Sequence, residues 1–138
     1  MKMNLMISVV AVLWIGMILA IGMESVVKFS TPTLTKPVAF DVGRTVFGAF
    51  NKAQLVLLAA MMVGACWASL PKWDWAFLTV LALAMAAQII WLFPILSARV
   101  DLILAGVSPP PTSAHAWYGM LEAAKFILLV ILAIRLFS

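Results

Sequence analysis

Polar residues interrupt this chain at only a few places, and four apolar runs lie between them. The first extends from Leu5 to Met23 and stops at Glu24. The second is uncharged from Ala53 to Leu70, and its helical pattern begins upstream, near Asp41 or Arg44. A third spans Ala76 to about Leu96, and a fourth His115 to Phe137. A helix that crosses a bilayer needs about 20 apolar residues. Each run therefore predicts one helix, at about 5–24, 41–70, 75–97 and 115–137. Ser30-Thr31-Pro32 to Thr35-Lys36-Pro37 reads as short turns or helix starts, and Pro71-Lys72-Trp73-Asp74-Trp75 as a tight connection. Three consecutive prolines at 109, 110 and 111 make Gly106 to Ser113 a stiff loop. Pro94 predicts a kink or an end to the third helix. Short connections imply up-down-up-down order. The expectation is an all-α fold, an integral membrane antiparallel four-helix bundle forming one domain over 1–138.

Small residues recur at the four-residue spacing that lets helix backbones approach closely in lipid. Gly16 and Ala20 mark such a seam on the first helix, Ala60, Gly64 and Ala68 on the second, and Ala82 and Ala86 on the third. Trp67, Trp73 and Trp75 match an interfacial aromatic belt.

Composition strengthens the membrane reading. Of 138 residues, 66% are hydrophobic and 10% charged, against about 45–50% and 25% in soluble domains. Mean hydropathy is +1.17. Ala20-Ile21-Gly22 imitates a signal-peptide cleavage site, but the 19 uncharged residues of the first run exceed the usual apolar core of about 7–15. The first helix is expected to stay. The net charge of +4 comes from Lys and Arg scattered singly, which argues against nucleic acid. Lys2, Lys72 and Arg135 fall on one side of the expected bundle, and Lys28, Lys36, Arg44 and Arg99 on the other. That margin of one residue leaves orientation open. Cys66 stands alone in an apolar run and reads as a buried small hydrophobe.

The sharpest polar signal is in the last helix. His115, Tyr118, Glu122 and Lys125 fall at offsets 0, 3, 7 and 10, an arc of about 80°. Arg44, Asn51 and Gln54 share a similar arc on the second helix, while Lys52 points elsewhere and snorkels. Gln88 and Arg99 lie on the third, in phase only if Pro94 does not rotate it. Glu24 and Lys28 stand at the favourable i,i+4 order on the first. Two readings stay open. In one, Glu24, Arg44, Asn51, Gln54, Arg99, His115, Tyr118, Glu122 and Lys125 line a polar chamber near the first and third loops that binds a small solute or relays protons. In the other, Glu122 pairs with Lys125 or an arginine and fixes helix register.

Metal and nucleophile chemistry find little support. The chain has one His and one Cys, whereas zinc, copper and haem sites want several such ligands. Ser113 beside His115 reads as a helix cap rather than a nucleophile.

The string Gly22-x-Glu24-x-Val26-x-x-Phe29-x-x-Pro32-x-Leu34 is followed by Gly43-Arg44-x-x-Phe47, Asn51-Lys52, Arg99 and His115-x-x-Tyr118-x-x-x-Glu122-x-x-Lys125. This layout resembles the four-helix membrane family that includes transmembrane protein 205. The resemblance implies a fold and a membrane location rather than a chemistry. The first functional expectation is a small subunit or scaffold packed in the bilayer against copies of itself or other membrane subunits, which leans away from an enzyme without excluding one. A transporter or channel comes second. A quinone-linked oxidoreductase using His115, Tyr118 and Glu122 comes third. No cofactor is expected beyond a bound lipid or quinone.

Overall fold

A computed structural model of the chain describes residues 2–137, which are helical throughout apart from the connections. The helices are α1 (Lys2–Val27), α2 (Lys36–Trp67), α3 (Lys72–Ala86), α4 (Phe93–Leu104) and α5 (Ala114–Phe137). A π-helical stretch, Ala87–Leu92, joins α3 to α4, so the five segments form four rods. Three rods, Lys2–Ser30, Lys36–Trp67 and Lys72–Leu104, are long and apolar enough to cross a membrane.

The rod ends follow local chemistry. α1 runs three residues beyond Glu24 and closes in a 3-10 turn, Lys28–Ser30. α2 starts earlier than expected because Pro37 occupies its first turn, where a missing N–H costs nothing. It ends at Trp67 rather than Leu70, since Pro71 disfavours helical geometry in the residue before it. Ala68 therefore lies past the helix. Pro94 does not end the third rod. A proline ring clashes with the carbonyl four residues back; here the turn is widened just upstream, and the Phe93 N–H bonds the Gln88 carbonyl five residues away. The rod continues to Leu104 and stops where Gly106, at φ 79°, lets the Gly106 and Val107 N–H groups reach the Ile103 and Leu102 carbonyls. That is a Schellman end, which glycine accommodates best. At α5, the Thr112 hydroxyl rather than Ser113 accepts a bond from the Ala114 N–H.

Packing brings the beginning of α1 beside the ends of α2 and α5. The Ser8 hydroxyl donates to the Ala133 carbonyl at 2.8 Å, and a Cβ at Gly64 would sit 2.8 Å from Met6 Cε and 3.0 Å from Ile7 Cγ1. Ile7, Ala11, Trp14, Met61, Leu78, Leu81, Leu129 and Leu132 are among the buried residues of the main core. A smaller cluster of Leu92, Ala114 and Tyr118, packed by Phe47, Leu96 and Leu121, lies toward the other end. Gly16 and Ala20 are exposed, with nothing within 4 Å of a Cβ at Gly16. The contact face of α1 is Ile7, Ser8, Ala11 and Trp14 instead. Ala60 is half-buried. Cys66, expected inside, is exposed on the outward side of α2.

Identical spacing thus conceals opposite surroundings at Gly64 and Gly16. Gly64→Leu should lower stability by about 1–3 kcal/mol through overpacking, while Gly16→Leu should leave it unchanged or slightly raised. Thermal unfolding in detergent, followed by circular dichroism, compares the two.

Candidate functional site

At mid-length, all four rods turn polar side chains toward a common point. Lys125, near the middle of α5, is wholly buried. Its three N–H donors find three acceptors: Glu122 Oε1 at 2.8 Å, Gln54 Oε1 at 2.6 Å and Met85 Sδ at 3.3 Å. The Trp14 and Phe50 rings lie 5.9 and 6.0 Å from the ammonium, within cation–π range.

From this centre the bonds close into a ring. Gln88 Nε2 donates to Glu122 Oε1 at 3.0 Å and to the Tyr118 carbonyl at 3.2 Å. The Tyr118 hydroxyl donates to Asn51 Oδ1 at 2.8 Å, and Gln54 Nε2 donates to the same oxygen at 3.4 Å. Trp14 Nε1 attaches α1 by donating to Gln54 Oε1 at 2.8 Å. Phe47 covers Tyr118 edge-on, with ring centroids 5.6 Å apart. Because Glu122 and Lys125 neutralise one another, the ring has no net charge where solvation is weakest. A buried pair is tolerated only with good geometry and further hydrogen bonds to the remaining atoms. Two ring atoms are buried without a partner, Gln88 Oε1 and Glu122 Oε2.

The other polar residues lie toward the ends. Arg44 binds Asp101, the Asp41 carboxylate at 2.6 Å and the Ser97 carbonyl at 3.3 Å. It clamps α2 to α4. Arg99 donates to the Pro110 carbonyl and holds the proline loop against α4. Glu24 pairs with Lys28 at 3.6 Å, and Lys28 Nζ comes within 2.5 Å of where a Cβ at Gly43 would be. His115 is exposed on the first turn of α5. At the opposite end, Arg135 Nε donates to the buried Asp74 at 2.6 Å.

Asn51, Gln54, Tyr118, Glu122 and Lys125 therefore meet, whereas Glu24, Arg44, Arg99 and His115 do not join them. The expected chamber near the first and third loops divides into a central ring and separate surface ties. Gln88, expected to share a face with Arg99, is a ring member. Trp14 and the Asp74–Arg135 pair went unrecognised in the sequence. A tryptophan in mid-run, far from an interfacial belt, was the available signal, since a buried indole N–H needs an acceptor. Among the described residues no group of three or more His, Cys, Asp or Glu side chains is placed to hold a metal ion.

No protein-family model, curated protein or solved structure matches this chain.

Removing one charge from the ring should be worse than removing both. Lys125→Met strands Glu122 and should cost about 3–5 kcal/mol, whereas Lys125→Met with Glu122→Gln should recover more than half of that loss. A double-mutant cycle on unfolding in mixed micelles measures the coupling.

Proposed function

We propose that this chain is a multi-pass integral membrane protein, an antiparallel four-helix bundle serving as a small subunit or scaffold for copies of itself or other membrane proteins. The observation that carries this reading is the distribution of polarity. The ring lies inside at mid-length, while Val56, Leu83, Ile90 and Ile134 present 64–76% of their surface outward. Lipid is the solvent in which that arrangement is stable. Each rod, at about 1.5 Å per residue, exceeds the hydrocarbon thickness of about 30 Å. Trp67 and Trp73, exposed where α2 ends and α3 begins, fit a headgroup belt.

The subunit role rests on what remains outside. The connections are short, the interior is occupied by side chains bonded to one another, and the broad surface is apolar. That surface includes the Gly16–Ala20 face, where another helix can approach closely. A second reading, transport, rests on Glu122 and Lys125 standing at mid-depth, where ionisable groups commonly mark solute or proton pathways.

Two measurements separate them. Native electrophoresis of gently solubilised membranes should show the chain in an assembly well above its own 15.0 kDa, disrupted by Gly16→Leu without loss of fold; a lone monomer would sink the subunit reading. In liposomes, transport requires a solute or proton flux that Glu122→Gln abolishes, and equal flux in both proteins excludes it.

A further inference from the structure

Five of the six tryptophans fall into two groups along the bundle. Trp67, Trp73 and Trp75 gather where α2 ends and α3 begins. Trp91 and Trp117 sit farther up the third and fourth rods, with ring centroids 6.5 Å apart and with 51% and 46% of their surface outward. Among the described residues, the sixth, Trp14, is the one whose indole N–H has a protein acceptor. An exposed indole whose N–H is unshared suits the ester layer of a bilayer, where the ring meets acyl chains and the N–H meets carbonyl oxygens.

The two groups stand apart by the depth of a hydrocarbon core. Along the third rod, Trp91 follows Trp73 by eighteen residues, a rise of about 27 Å against a core of about 30 Å. The same interval on α5 runs from Trp117 to Arg135, which bonds Asp74 beside Trp73. Between these levels the charged side chains, among the described residues, are Glu122 and Lys125 in the ring and Lys52 on the outside of α2. Lys52 is one helical turn from Gly48, where a Cβ would lie 3.7 Å from the Phe93 ring. Its ammonium therefore reaches the level of Trp91 by snorkelling.

We propose that the Trp91–Trp117 pair is a lipid-anchoring site seated among phospholipid ester groups, and that it sets the protein asymmetrically in the bilayer, with residues 36–47 of α2, α4 and the proline loop standing out of one face as a head. The head is where the surface ties collect. Arg44 joins Asp41 and Asp101, and Arg99 holds Pro110, charges that belong in water or headgroups rather than acyl chains. The rod runs thirteen residues past Trp91 to Leu104, about 20 Å, well beyond the roughly 5–8 Å that headgroups add on each side. At the opposite face α2 stops at Trp67 and α3 starts at Lys72, close to the tryptophans there. This placement rests on the membrane reading above, and adds to it a lipid contact and a water-facing side.

The test uses the whole chain in lipid nanodiscs, where both faces meet water. Trp67→Phe, Trp73→Phe and Trp75→Phe together leave Trp91 and Trp117 as the lipid-facing fluorophores, since Trp14 is wholly buried. Phospholipids brominated at the top of the acyl chain should quench this emission more strongly than those brominated near its end, and adding Trp91→Phe with Trp117→Phe should remove the quenching. A second readout leaves the tryptophans alone. In a Cys66→Ser background, Ala98→Cys, exposed on α4 past the pair, should react with a membrane-impermeant maleimide. Ala86→Cys, exposed on α3 between the two groups, should stay unlabelled until the discs are dissolved in denaturing detergent. Stronger quenching by the deep bromines, or an Ala98→Cys protein protected as fully as Ala86→Cys, overturns the proposal while the membrane reading stands. Absence of quenching at every depth, with both cysteines labelled, overturns both.

Discussion

The rest of the structure is arranged around a wholly buried ammonium, Lys125, at the middle of a helical bundle. A bare charge in a dry protein interior is costly unless it is paired and hydrogen-bonded. Each neighbour of Lys125 answers that demand. Glu122, one helical turn away on the same rod, supplies the opposite charge. Gln54 from α2 and Met85 from α3 take the remaining donors, and Trp14 from α1 completes the shell by bonding Gln54. The cation's donors thus reach two of the three neighbouring rods directly, and Gln54 ties in the third, which together constrain their relative rotation. Apolar packing at Gly64, where Met6 and Ile7 lie close, adds a second, non-polar constraint on the same helices.

The π-helical stretch belongs to the same constraint. Pro94 demands relief upstream, and the widened turn at Ala87–Leu92 provides it. The extra residue in that turn rotates α3 against α4. Gln88 consequently faces α5 and the ring, while Arg99 faces the loop at Pro110. π-turns frequently mark functional positions; here the turn supplies the third rod's side-chain donor to the Glu122 carboxylate.

Much of this was readable from the residues, and the failures have physical causes. The four apolar runs became four rods because their length and hydropathy leave few alternatives. Helical phase correctly grouped Tyr118, Glu122 and Lys125, and separately Asn51 with Gln54. Phase reports direction around a helix, however, and says nothing of which neighbour stands opposite or of height in the bundle. Arg44 shares an arc with Asn51 and Gln54 yet sits nearer the start of α2, where that helix meets α4, so it ties to Asp101 instead. His115 shares an arc with Lys125 but lies at the rod's end, exposed on the first turn. Gly16 and Gly64 have the same spacing signal and different neighbours, and Cys66 faces outward because membership of an apolar run does not fix which side of a helix is buried.

The same geometry explains why the ring is closed in one sense and open in another. Among the described residues, the buried side-chain atoms without partners are Gln88 Oε1, Glu122 Oε2 and Glu24 Oε2, all of them oxygens. The shortfall is therefore in donors. Gln88 already gives both amide hydrogens to Glu122 Oε1 and the Tyr118 carbonyl, and Lys125 all three of its own, so neither has a donor left for these oxygens.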